Sequence, residues 1–88
     1  MSDRDDIEAV GQWPNIGPKS AAWIVEAGIT SLAQLEELGA PYVWQMIKVM
    51  RPEVSLVLLY ALQGAIDDCH WSEIDGALEA QLRRAVGR

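Results

Sequence analysis

One segment limits the possible folds more than any other: LVLLYALQGAI, residues 56–66, which is apolar on nearly every side when it is wound as a helix. A helix of this kind is buried all round, so the segment predicts a central helix over about residues 55–66. Ser55 stands where it can cap the start of that helix. The apolar stretch is far shorter than the roughly 20 residues that a membrane-spanning helix needs, so no membrane insertion is expected.

The rest of the sequence alternates apolar residues at helical spacing with short turns that contain Gly or Pro. No window has the period-two alternation of a half-buried strand. The pattern therefore predicts an all-α fold, a small bundle of five to six helices. Beside the central helix, helices are expected over residues 3–10, from Pro18 to Ala27, between Ser31 and Gly39, from Pro41 to before Pro52, and from residue 75 or 76 to Val86.

Single side chains inside these helices carry further expectations. Ser31 and Gln34 form a capping-box pattern, and Gly28 stands where a helix often ends in a residue with positive φ. In the last helix, Leu78, Leu82 and Ala85 are expected to face inward.

Eighty-eight residues suffice for one compact core and leave no room for a second domain. We expect a single domain over residues 1–88, made of an acidic N-terminal segment over 1–10, a helix-hairpin-helix-like unit over 13–38 and the remaining helices over 41–86. Half of the residues are apolar, with four Trp, which argues against disorder. One cysteine and an acidic N-terminus without a signal-peptide pattern predict a cytoplasmic protein.

The net charge of −6 is unevenly distributed. Residues 67–79 hold five acids and no base, whereas residues 10–66 are nearly neutral, and the C-terminal end carries Arg83, Arg84 and Arg88. Binding to a phosphate backbone depends on a positive patch, so the chain is not expected to be a strong nucleic-acid binder.

The segment from Trp13 to Leu38 resembles a helix-hairpin-helix unit, with its two helices, 18–27 and 31–38, as a tight pair. Its turn, GQWPNIG, places Asn15 and Gly17 on either side of Ile16, where the usual pattern has two glycines. Asn tolerates positive φ better than other non-glycine residues, so the turn is expected to survive the substitution. Backbone N–H groups at such a hairpin and helix start can face an anion.

Two interpretations of this helix start stay open. In the first, Asn15, Ile16, Gly17, Lys19 and Ser20 form an anion or nucleic-acid contact. In the second, which the acidic composition favours, the hairpin only packs, and Lys19 is solvated. Any nucleic-acid contact is expected to be weak.

A longer resemblance runs from GPKSAAWIVEAGITSLAQLEELGA to PEVSLVLLYALQGAIDDCHWSEID. These segments, with the LYALQGA block and the Cys69-His70-Trp71 sequence, are similar to the C-terminal domain of the TfoX/Sxy competence regulators. The resemblance implies a non-enzymatic regulator of competence genes that acts with the transcription machinery. The resemblance also implies an N-terminal domain, which is not expected in this chain.

The sequence gives little support for a catalytic site or a metal site. Zinc sites usually use ligands two to five residues apart, and neighbours on a helix diverge too far for a Cys-His pair to act together. We therefore expect Cys69 and Trp71 to close the end of the core, His70 to be partly exposed, and the chain to hold no metal or cofactor and to be no enzyme.

The remaining candidates are surfaces for a protein partner. The acids around Asp67 and Asp68 are read as a solvated face or as a docking surface for a basic partner. Trp13, Trp23, Trp44 and Trp71 are expected first of all in the core, though Trp44 beside Tyr42 could lie exposed as an interface anchor. The leading hypothesis is a regulatory protein-protein adaptor with at most weak DNA contact, and the alternative is a purely structural or oligomerising domain. Nothing in the sequence fixes the oligomeric state.

Overall fold

The computed structural model of the chain describes residues 3–87, in which six α-helices and one 3₁₀ turn, Trp71–Glu73, follow one another without a strand. The predicted all-α fold is confirmed. Met1, Ser2 and Arg88 lie outside the described residues, and with them one end of the predicted acidic segment and part of the basic C-terminus. The helices are α1 (Asp3–Val10), α2 (Pro18–Glu26), α3 (Leu32–Leu38), α4 (Ala40–Met50), α5 (Leu56–Asp67) and α6 (Gly76–Ala85).

Local capping signals set several helix ends where the sequence predicts them. Ser31 accepts the backbone N–H of Gln34, and the Gln34 side chain accepts the N–H of Ser31 in return, which completes the predicted capping box. Gly28 follows the end of α2 with φ +93, and the N–H of Ile29 reaches back to the carbonyl of Ile24 at 3.2 Å. This is the left-handed helix end for which glycine is suited.

Helix α5 is the most buried helix and lies against α3, α4, α6 and the 3₁₀ turn. The predicted central helix is thus confirmed. The side chain of Ser55, however, makes no capping bond to the helix start. Its carbonyl instead accepts the indole N–H of Trp44 at 2.9 Å. The buried residues of α5 are Leu58, Leu59, Tyr60, Ala61, Leu62, Gly64 and Ala65.

Trp44 is 2% exposed, which confirms the expectation that it belongs to the core, and the alternative of an exposed anchor at this position is wrong. Helix α4 packs against α3, α5 and α6, which widens its buried face beyond the stripe of Val43 and Ile47 to include the indole. The Ser55 carbonyl satisfies the indole N–H there. Tyr42, on the outer face of α4, is 55% exposed, as the interface hypothesis requires.

Two other packing predictions are wrong. Ala85 is exposed, because only Leu82 of α6 is buried and Ala85 lies in the last turn of that helix. The close pair of α2 and α3 is not formed: α2 packs most extensively against α1, and α3 packs on α4 and α5. The hairpin of residues 11–17 therefore joins α1 to α2.

Shortening a side chain in the centre of α5 should destabilise the fold. Leu62 is fully buried, so Leu62→Ala is expected to lower the free energy of unfolding by about 2 to 5 kcal/mol. The matched control is Leu38→Ala on α3, where the leucine is 42% exposed and the loss should be under about 1 kcal/mol. Urea denaturation followed by tryptophan fluorescence measures both, and equal losses would contradict the central position of α5.

Candidate functional site

Asn15 fastens the hairpin to a distant part of the chain. Its backbone has φ +70, which confirms that asparagine carries the turn in place of glycine. Its side-chain Nδ2 donates to the carbonyl of Cys69 at 2.8 Å, and its Oδ1 accepts the N–H of Trp71 at 3.1 Å. The start of α2 is thereby held beside the end of α5 and the 3₁₀ turn.

Gly64 provides the space for this bridge. A Cβ atom at this position would lie 2.5 Å from Nδ2 of Asn15 and 2.8 Å from the carbonyl oxygen of Cys69. Both distances are far inside van der Waals contact, and one of the two atoms belongs to the backbone. Glycine in the middle of α5 is therefore explained by the close approach of the hairpin, not by a turn.

The residues after α5 form a compact turn that presents Trp71. Asp68 ends the helix with φ +54, so the acids at this helix end are a turn feature, as expected. Nδ1 of His70 accepts the N–H of Ser72 at 3.2 Å, and Glu73 accepts the N–H of His70 at 3.2 Å. Trp71 is 37% exposed and so does not close the core as predicted, because its backbone is tied outward to the hairpin by Asn15.

The Cys69 thiol is half-buried and poorly suited to act as a nucleophile. Partial burial raises its pKa, and the charges of Asp67, Glu73 and Asp68 raise it further. Less thiolate is therefore present near neutral pH. Nδ1 of His70 contacts Oγ of Ser72 at 2.6 Å. Between residues 3 and 87, no three His, Cys, Asp or Glu side chains are grouped as metal ligands.

The start of α2 exposes backbone donors. The first bond of the helix runs from the N–H of Ala21 to the carbonyl of Gly17 at 2.8 Å, and within residues 3–87 the N–H groups of Gly17, Lys19 and Ser20 have no acceptor. Ile16 is 6% exposed and belongs to the core. Of the five predicted anion-site residues, the structure thus brings three together at the surface.

Lys19 lies over the ring of Trp23, with Nζ 5.2 Å from the ring centroid. This contact holds the positive charge over an indole about one turn further along α2. The contact also restrains the lysine side chain, because a cation over the face of an indole is attracted to the ring.

A groove of about 280 Å³ opens beside this lysine. We name it the α2–α5 groove. It is lined by the hairpin and the first part of α2, by the segment before α5 and the first half of α5, and by Trp71. Its lining residues are Asn15, Lys19, Ser20, Trp23, Glu53, Val54, Ser55, Val57, Leu58, Ala61 and Trp71.

Sequence reasoning did not identify this groove. Trp23 and Trp71 were expected in the core but are half-buried and exposed, respectively, and Val57 is 45% exposed although it belongs to the most apolar helix. The predicted partner residues Asp67 and Asp68 are exposed next to Trp71 along the chain, whereas Tyr42 does not line the groove.

Three comparisons with known proteins bear on the chain. The family model of the TfoX C-terminal domain matches residues 7–86. A crystal structure of an uncharacterized protein from Listeria monocytogenes, in a triclinic form, has a TM-score of 0.80 and 28% sequence identity, over 84% of each chain. No curated protein matches the chain significantly. No described helix is long and apolar enough to cross a membrane.

Adding one methyl group at Gly64 should disrupt the bridge. Gly→Ala inside a helix ordinarily stabilises by roughly 0.5 to 1 kcal/mol, but at Gly64 the overpacking should destabilise by about 1 to 3 kcal/mol. In the control Gly76→Ala, the new Cβ meets no atom within 4 Å, so stability should be unchanged or higher. Thermal denaturation distinguishes the two variants.

The partner of the clash can be tested in a double-mutant cycle. Asn15→Gly keeps the positive φ and removes the side chain that the new methyl would meet. The two changes together should therefore cost less than the sum of the single changes, by about 0.5 kcal/mol or more. Additive losses would show that Asn15 and Gly64 do not interact.

Proposed function

Because the chain belongs to the TfoX C-terminal domain family, which is of regulatory type, we propose that it is a non-enzymatic regulatory binding module that docks a protein partner in the α2–α5 groove. By the resemblance to competence regulators, that partner belongs to the transcription machinery. The alternative, a purely structural or oligomerising domain, requires no ligand in the groove.

The observation that carries the proposal is the exposed apolar surface inside a concave site. Trp71 and Val57 are 37% and 45% exposed, and both line the groove with Trp23. Aromatic side chains in such positions often supply most of the binding energy of an interface. Polar groups at the rim, among them Ser20 and Ser55, can fix the orientation of a partner.

The proposal that the module is not an enzyme is supported by the state of its reactive side chains. The raised pKa of the Cys69 thiol lowers the fraction of nucleophilic thiolate. The ring nitrogen Nδ1 of His70 is occupied by the backbone and hydroxyl of Ser72. The His70 ring, through Ser72, and the backbone carbonyl of Cys69, through Asn15, hold the turn that presents Trp71.

A charge placed in the groove should block docking. Val57→Glu puts a carboxylate in the first turn of α5, where the helix dipole tolerates it, and should lower partner capture from cell extract at least tenfold. Val49→Glu is the matched control, because Val49 is 83% exposed on α4 and does not line the groove. Captured proteins are identified by mass spectrometry, with circular dichroism to confirm folding of both variants. Equal capture by Val57→Glu and the wild type would refute groove docking.

A second contact, with phosphate, is favoured by the free N–H groups of Gly17, Lys19 and Ser20 and by the positive charge of Lys19 in the first turn of the same helix. This contact is weak and independent of sequence, because no helix presents a row of side chains suited to read base edges.

Lys19→Ala should reduce the slope of log K against log salt for duplex DNA by about one unit. Lys48→Ala is the control, since Lys48 also lies over an indole, that of Trp44 at 5.7 Å, but far from the hairpin in sequence. Fluorescence anisotropy at low salt measures both slopes. Tight, sequence-selective binding at physiological salt would contradict this contact.

A further inference from the structure

Charges of both signs are associated with the α2–α5 groove. Lys19 lines it and lies over Trp23, while Trp71, which also lines it, is flanked along the chain by exposed acids. We call these acids, with Glu53 of the groove lining, the acidic rim: Glu53, Asp67, Asp68, Glu73 and Asp75. Lys19 and the acidic rim attract opposite charges.

The acidic rim is not neutralised by its own segment. Asp67, Glu73 and Asp75 each accept a hydrogen bond from an uncharged donor, namely Gln63, the N–H of His70 and the N–H of Ala77. No lysine or arginine occurs between residues 67 and 79. The negative potential of the acidic rim is consequently available to a partner.

The groove has room and apolar surface for one large side chain. Its volume is about 280 Å³, and Trp23, Val57 and Trp71 line it beside polar groups. A nucleic-acid strand would have to run its phosphates past the acidic rim, which repels them.

From these observations we propose that the partner's binding segment carries one large apolar anchor residue followed on one side by lysine or arginine residues. The anchor enters the α2–α5 groove, and the basic residues lie along the acidic rim beyond Trp71. The end of the segment near Lys19 is neutral or acidic. This inference rests on the proposed function, since it specifies the partner of the same groove.

Two labelled peptides of equal length test this chemistry. Both carry a central leucine, which three lysines follow in one peptide and three glutamates in the other. Fluorescence anisotropy with the full chain should show that the basic peptide binds at least tenfold more tightly at low salt. The difference should shrink as salt screens the rim. Equal or tighter binding of the acidic peptide would overturn the inference.

Variants locate the charge effect. The double variant Asp67→Asn with Asp68→Asn should weaken binding of the basic peptide at least threefold. Its fold should be unchanged, because asparagine tolerates the left-handed backbone at residue 68. Glu36→Gln with Glu37→Gln removes the same charge from the exposed face of α3 and should have no such effect. If both double variants weakened binding of the basic peptide equally, the peptide preference would depend only on net charge, and the role of the acidic rim would be refuted.

The inference and the proposed function fail in different ways. If Val57→Glu abolishes partner capture but the peptides bind without the expected preference, the groove remains the docking site and the proposed charge of the partner segment is wrong. If the basic peptide binds equally to wild type and Val57→Glu, the groove is not the site and both fail. Tight binding of labelled duplex DNA to the full chain at physiological salt, abolished by Val57→Glu, would identify a nucleic-acid ligand of the groove and overturn a protein partner.

Discussion

The side-chain amide of Asn15 is the contact on which the surface of this protein depends. It donates to the carbonyl of Cys69, which lies 54 positions further along the chain, and it accepts the N–H of Trp71, which lies 56 positions further along. Both bonds are possible only because Asn15 adopts a left-handed backbone and Gly64 has no side chain. Without them the hairpin, the start of α2 and Trp71 would have no fixed relation, and the α2–α5 groove would not exist.

The helices could be predicted from the sequence because their signals are local. Ser31 with Gln34, and Gly28 past the end of α2, act within one turn of the backbone, and each lies where it was expected. The packing of Trp44 and the partner of α2 depend on elements distant in sequence. The size and apolar character of Trp44 favour burial, but periodicity does not report how many helices surround α4, so the packing partners of its indole could not be predicted.

The same difference between local and long-range features applies to the candidate site. The cluster of N–H groups at Gly17, Lys19 and Ser20 follows from one helix start, and the structure has it as the sequence suggests. The groove is made by three separate segments, and no pattern in any one of them predicts it. Val57 illustrates the difficulty: the apolar character of α5 identifies a buried helix but not the one residue that its neighbours leave uncovered.

The bridge also affects how a partner would bind. A groove whose walls are fixed by long-range hydrogen bonds loses little conformational entropy when it is occupied, which favours binding by a short segment. Because the backbone N–H of Trp71 is held by Asn15, this exposed indole belongs to a segment that is tied to the hairpin. Such preorganisation lowers the entropic cost of placing an anchor side chain against the indole.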